Sequence, residues 1–178
     1  ENNNLKELLN LKNLYTDYDK IYAKILNRNK MYWFSTITID KGKKDGLKEN
    51  DVVITTNGLI GTINSASKEY STIKLITNSD KENKISVAVK KQNLVHGTII
   101  EYEYPYLKVE LITNSASIKK GDELVTSGLG NLPKNIKIGK IEKIKEDKYA
   151  VTNILYVKPY QDMNNIDYVL VLSKWFIL

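Results

Sequence analysis

The apolar positions change their spacing once along the chain. At first they recur every three or four residues, as Leu8, Leu11, Tyr15, Tyr18, Tyr22 and Ile25, and Leu5, Leu14 and Ile21 widen the stripe. Lys, Glu, Asp and Asn stand between them, so the pattern is a heptad seam and predicts a helix over residues 1–28. From Leu5 to Leu26 such a helix runs ~32 Å at 1.5 Å per residue. It either packs onto its own domain or pairs two copies as the end of a coiled coil through Leu8, Leu11, Tyr15, Tyr18, Tyr22 and Ile25. Tyrosine fills a dimer seam less well than Leu, Ile or Val, so a short coil of this kind pairs weakly.

From Tyr32 the period shortens to two. "YWFSTITI", "DVVIT", "LIGTINSA", "STIKLIT", "KISVAVK", "LVHGTII", "LKVELIT", "ELVTS", "IKIGKIEKI", "YAVTNILYV" and "YVLVL" are short, β-branched and aromatic, with Gly, Asn and Asp between them. Ile85, Val87 and Val89 alternate with polar or small residues, as do Ile136 and Ile138, which predicts strands with one buried face. Many short strands at close spacing predict a sandwich or a barrel.

One phrase occurs twice. "LKENDVVITTNGLIG" begins at Leu47 and "IKKGDELVTSGLG" at Ile118. Asp51 matches Asp122, Val53-Ile54 match Leu124-Val125, and Thr55-Thr56 match Thr126-Ser127. Gly58-Leu59 match Gly128-Leu129, then Gly61 and Ile63 match Gly139 and Ile141, with "GNLPKNIK" inserted in the second copy. Asn or Gly before the aspartate suits a left-handed turn, and the carboxylate bonds back to the backbone. The phrase is therefore a turn–strand–turn unit, and two copies predict two small β modules dividing near Val95 to Tyr106. A further echo, "LITNS" at Leu75 and at Leu111, falls out of register with the first and reads as chance.

Charge and composition narrow the chemistry. The net charge is +6, yet Arg28 is the only arginine, so base-reading guanidinium forks are missing and nucleic acid is not an expected partner. There is no cysteine, which excludes disulfides and thiolate metal sites. Scattered carboxylates and one histidine give no metal-ligand spacing, and no glycine-rich phosphate cradle is present, so no cofactor is expected. A serine-hydrolase site would need His96, with Ser127 in "TSGLG" and Asp122 or Asp80 as the acid. Asp122 and Ser127 sit at the two ends of one predicted strand, roughly 15 Å apart at ~3.3 Å per residue, too far for a triad. "EYEYPYLKVE", from Glu101, reads as an edge strand guarded by charges or as a peptide-binding strand.

Three stretches, in order, resemble the rod-shape-determining MreC family of bacteria. "AKILNRNKMYWFSTITIDKGKKDGLKENDVVITTNGLIGTI" carries Trp33, Gly42, Gly46, Gly58 and Gly61. "IKKGDELVTSGLGNLPKNIKIGKI" carries Gly121, Asp122, Gly128, Pro133 and Gly139. "VKPYQDMNNIDYVLVL" resembles the family's closing strands. Asn50 and Asn135 stand where the family usually has glycine, and asparagine is the next-best residue for a left-handed turn. The resemblance implies a mainly β chain: a coiled-coil helix over 1–28, then two six-stranded β-barrels of chymotrypsin-like topology. The first covers 29–100, open to closing strands from the C-terminus, and the second covers 101–178. It implies a non-catalytic scaffold with a single-pass membrane anchor and its barrels on the extracytoplasmic side. Its partners would be a second copy, a class B penicillin-binding transpeptidase, and the membrane and cytoskeletal proteins of the elongation complex. The competing architecture is a membrane-fusion adaptor of an export pump, which needs a helical hairpin between two halves of a lipoyl-like module. Here only one helical stretch is predicted.

Overall fold

The computed structural model describes residues 7, 10–11, 14–28, 36–78, 84–91, 95–112, 117–146 and 152–174. Its strands are β1 Tyr18–Arg28, β2 Thr36–Ile39, β3 Val52–Thr55, β4 Gly58–Ala66, β5 Ser71–Leu75 and β6 Ile85–Val89. They continue with β7 Val95–Glu103, β8 Tyr106–Leu111, β9 Glu123–Thr126, β10 Lys137–Glu146, β11 Asn153–Pro159 and β12 Tyr168–Lys174. All ladders are antiparallel, and they close two barrels: β1-β12-β3-β4-β5-β2, and β10-β11-β8-β7-β6-β9.

The two strand orders are one order. Counting from β6, the second barrel closes as first-second-third-sixth-fifth-fourth. Counting from β12, and then β1 to β5, the first barrel closes the same way. β3, β4 and β5 thus hold the places of β9, β10 and β11, which puts the repeated phrase at the same site in both. The "LITNS" echoes do not coincide, since Leu75 ends β5 and Leu111 ends β8, which occupy different places.

Each interior follows from alternation. Residues opposite one another in an antiparallel ladder share a face. In the first barrel Ala23, Ile37, Ile39, Val53, Ile63, Ile73, Leu75, Val169 and Val171 line up across neighbouring strands and are buried. In the second, Val87, Ile99, Val109, Leu107, Leu155, Val157, Ile141 and Leu124 do the same.

Two expectations are corrected. The helix predicted over 1–28 gives way to strand from Tyr18 onward. Glu7 and Asn10 are helical and Leu11 lies in a tight turn, while Leu8 and Trp33 lie outside the described residues. In β1 the proposed seam splits: Tyr18 and Tyr22 fall on one face with Lys20 and Lys24, whereas Ile25 falls with Ile21 and Ala23 on the other. The reason is tertiary. Pairing β1 with β12 from Tyr18↔Lys174 to Lys24↔Tyr168 closes the barrel and buries Ala23 beside Val169, which outweighs local helix preference.

The domain boundaries move as well. One unit comprises Glu1–Leu75 with Asp162–Leu178, and the other Ile76–Gln161. β6 and most of β7, expected within 29–100, belong to the second barrel, whereas β12 closes the first as the C-terminal strand for which that boundary was left open. Dividing the chain midway between the two phrases failed because the phrase forms the second half of a six-strand unit, not its start.

Candidate functional site

The repeated phrase builds the same turn twice. Asp51 Oδ2 accepts the Lys48 amide at 2.7 Å, and Asp122 Oδ2 accepts the Lys119 amide at 2.7 Å. Asn50, at φ 69°, donates its amide to the Ile63 carbonyl at 2.8 Å; Gly121, at φ 94°, donates to the Ile141 carbonyl at 2.8 Å. The return bonds, Ile63 N to Asp51 O and Ile141 N to Asp122 O, measure 2.9 and 3.0 Å. Asn135 is also left-handed, at φ 68°. Gly61 and Gly139 face inward where a Cβ would come closer than 3.0 Å to the carbonyl oxygens of Lys74 and Lys158. Gly42 is confined by the Ser67 and Lys68 carbonyls, and Gly46 (φ 94°) closes the short 3-10 turn Lys43–Asp45.

The phrases diverge after their strands. Thr55 leads into a tight turn at Thr56-Asn57, and Gly58, at φ 140°, opens β4. In the second copy Ser127 to Ile136 form a longer loop. The buried Thr126 hydroxyl donates to the Pro133 carbonyl at 2.6 Å and accepts the Ile136 amide at 2.9 Å. Gly128 (φ 80°) leaves room for Lys134. The matching of Leu59 with Leu129 is therefore corrected. Leu59 is buried in β4, whereas Leu129 is exposed in the loop, and the ladder makes Lys137 the counterpart of Leu59.

The twin aspartates differ electrostatically. Burial pushes the Asp51 carboxyl above the ordinary value of 3.8, against hydrogen bonds from the Lys48 amide and Ser173. Partial burial pushes Asp122 upward too, but the Lys91 ammonium, 2.6 Å away, and the Lys119 amide hold it below 3.8. These commitments bear on the hydrolase reading. Asp122 precedes β9 and Ser127 follows it, and Ser127 Oγ accepts the Leu129 amide at 3.1 Å. His96 lies opposite Ala88 on another strand, with Nδ1 buried and unpartnered, and Asp80 lies outside the described residues. Among the described residues no group of His, Asp and Glu is arranged to hold a metal ion.

A different arrangement occupies the outer face of the second barrel. "EYEYPYLKVE" is a hairpin within the closed barrel, β7 pairing β6 and β8, and β8 pairing β7 and β11, so the edge-strand expectation is corrected. Glu101, Lys108, Tyr156 and Lys143 stand directly opposite one another across β7, β8, β11 and β10. Lys108 Nζ lies 3.0 Å from Glu101, also pairs with Glu103, and lies 5.9 Å from the Tyr156 ring centre. Lys143 Nζ lies 5.4 Å from the Tyr106 ring centre, and Tyr106 meets Tyr156 edge-on at 6.2 Å. Glu103 and Glu101 hold the Lys108 ammonium above its ordinary value. Sequence reasoning saw the tyrosines and charges of the hairpin but not Tyr156 or Lys143, which only the barrel's closure brings beside them.

Two six-stranded barrels of protease-like topology, their shared motif given over to turn geometry, define a structural double-barrel class. The family model "Rod shape-determining protein MreC, barrel core" matches residues 25–173, and the chain belongs to that family. The cell shape-determining protein MreC of Listeria monocytogenes is 36% identical over 177 residues, covering 98% of this chain and 60% of that protein. The chain thus spans 60% of that relative's length, less than two thirds. A solved Listeria MreC structure matches with a TM-score of 0.84 at 34% identity, covering 96% of this chain and 85% of that one. An MreC from Helicobacter pylori, solved in complex with the penicillin-binding protein PBP2, shares the fold at a TM-score of 0.65 and 22% identity, covering 88% of this chain and 99% of that one.

Proposed function

We propose that the chain is the extracytoplasmic part of a membrane-anchored, non-catalytic scaffold of the cell-elongation machinery, and that it binds a class B penicillin-binding transpeptidase. The observation that carries this reading is the Tyr106–Tyr156 pair with its flanking Lys108 and Lys143. Closed barrels leave few unpaired strand edges, so recognition falls to outward side chains, and tyrosine held rigid by its neighbours is a frequent interface anchor. The Helicobacter complex with PBP2 supports the choice of partner. No helix among the described residues is long and apolar enough to cross a membrane, so the anchor belongs to the proposal. Self-association falls in this reading to the segment before Tyr18, and the links to membrane and cytoskeletal partners to the anchor end of the protein.

The test is calorimetric titration of the chain with the extracytoplasmic domain of a class B transpeptidase from the same genome. Saturable binding, weakened at least tenfold by Y106A/Y156A at unchanged melting temperature, is the expected result. Binding that ignores the tyrosine variant moves the interface elsewhere, and no heat at high concentration overturns the partner.

A further inference from the structure

Strand β10 carries lysines in an unusual phase. Lys137, Lys140, Lys143 and Lys145 all point outward and are exposed. In a regular strand the first three, spaced by three residues, would alternate between faces. Two register shifts, between Lys137 and Gly139 and between Ile141 and Lys143, bring them onto one face. Lys158 of β11 lies directly opposite Lys140, and like charges so placed repel.

Among the described residues no acid closes an ion pair with this row, although Glu123 stands opposite Lys140 and the Glu103 carboxylate feels Lys143 and Lys145 from a distance. Lys41, Lys44, Lys90, Lys91, Lys108 and Lys120 form ion pairs, whereas Lys137, Lys140, Lys143, Lys145 and Lys158 form none. The nearby acids are committed: Glu123 to Lys90 at 3.2 Å, Glu142 to Lys120 at 3.4 Å, and Glu101 and Glu103 to Lys108.

The twin barrel is an internal control. β4 keeps the glycine and both register shifts, yet it places Leu59, Thr62 and Ser65 where β10 has Lys137, Lys140 and Lys143. Lys74, the counterpart of Lys158, faces Thr62 instead of a second lysine. The fold therefore does not require the lysines.

We propose that the outer face of β10, with Lys158, binds a linear polymer of phosphate groups. The row runs roughly 25 Å at ~3.3 Å per residue, long enough for several successive anions. Lysine ammoniums act as compact point charges that meet phosphate oxygens one after another along a chain, whereas the planar arginine fork grips a single phosphate or carboxylate bidentately. A polymer fits better than a bilayer. The outside of a closed barrel is convex, and the side chains beside the row, Tyr156 opposite Lys143 and half-buried Ile154 opposite Lys145, form no continuous apolar stripe to enter an acyl layer. The site does not rest on the scaffold reading and survives the failure of the transpeptidase titration.

The test uses the whole chain and inorganic polyphosphate of about thirty units, titrated between 25 and 200 mM salt. Binding should weaken linearly on a log–log plot, by roughly 0.7 in slope per lysine–phosphate contact. K140Q/K158Q should lower affinity at least fivefold and reduce the slope by about 1.4, while K140R/K158R keeps both. K44Q/K68Q removes the same charge from the first barrel and should change affinity less than twofold. The melting temperature of K140Q/K158Q should stay close to wild type, because relief of the Lys140–Lys158 repulsion offsets the loss of the charge facing Glu123. Equal weakening by K44Q/K68Q reduces the effect to net charge and overturns the site. Tighter binding to phosphatidylglycerol vesicles than to polyphosphate overturns the polymer in favour of a membrane, and equal binding of polyglutamate overturns the phosphate assignment.

Discussion

Gly61 and Gly139 test the equivalence of the two barrels at the scale of single residues. Each faces a neighbouring strand's carbonyl at a distance no side chain tolerates, so G61A and G139A should each cost about 3 kcal/mol or more in urea denaturation. Gly130 is the contrast: its φ of 82° is left-handed, but a Cβ there meets nothing within 4 Å, and G130A should cost about 1–2 kcal/mol. The twin aspartates should pull stability in opposite directions with pH. Asp51 titrates higher in the folded state than in the unfolded state. Its contribution is therefore full below 3.8 and lost as pH rises through the folded value. Asp122 titrates lower when folded, so its contribution is present above 3.8 and lost as pH falls through its folded value. Urea midpoints from pH 2.5 to 6 should show the gap between wild type and D122N widening with pH, and that between wild type and D51N shrinking. Parallel trends would mean that the Lys91 pair does not set the difference.

At the scale of elements, β1 shows what local pattern conceals. Tyr15, Tyr18 and Tyr22 step by three and four into it, and it contains Ala, Lys, Leu and Asn with few β-branched residues, so a helical reading is natural. The strand phase is carried by Ile21, Ala23 and Ile25, which show as alternation only once Val169, Val171 and Ile39 are known to lie opposite. An A23D variant discriminates between the two readings. On a strand it buries a charge beside Val169 and should cost about 3 kcal/mol or more, whereas a helix seamed at Tyr18, Tyr22 and Ile25 would tolerate it. The repeated phrase was legible for the converse reason. Its bonds run between a turn and the strand two elements on, so local residues carry them. The outer face of β10 was not legible, because register shifts leave no mark in the order of residues. Nor was the Tyr106–Tyr156 contact, which joins positions on strands far apart in sequence.

Over the whole molecule, the second barrel interrupts the first between its fifth and sixth strands. Residues 76–161 form a continuous unit with all six strands of their barrel, so this segment expressed alone should give the dispersed amide spectrum of a folded β protein. A chain ending at Gln161 lacks β12 and leaves β1 and β3 without their shared partner. Its spectrum should keep the second-barrel resonances and lose those of the first. Loss of both sets would mean that the units fold only together. The pairing that closes the first barrel also has a mechanical consequence. Tyr18 and Lys174 are directly opposed at one end of the β1–β12 ladder. Tension applied between them peels that ladder apart one rung at a time instead of loading all its rungs at once. Such a seam yields at low force, and the inserted barrel bears no load until the seam has opened.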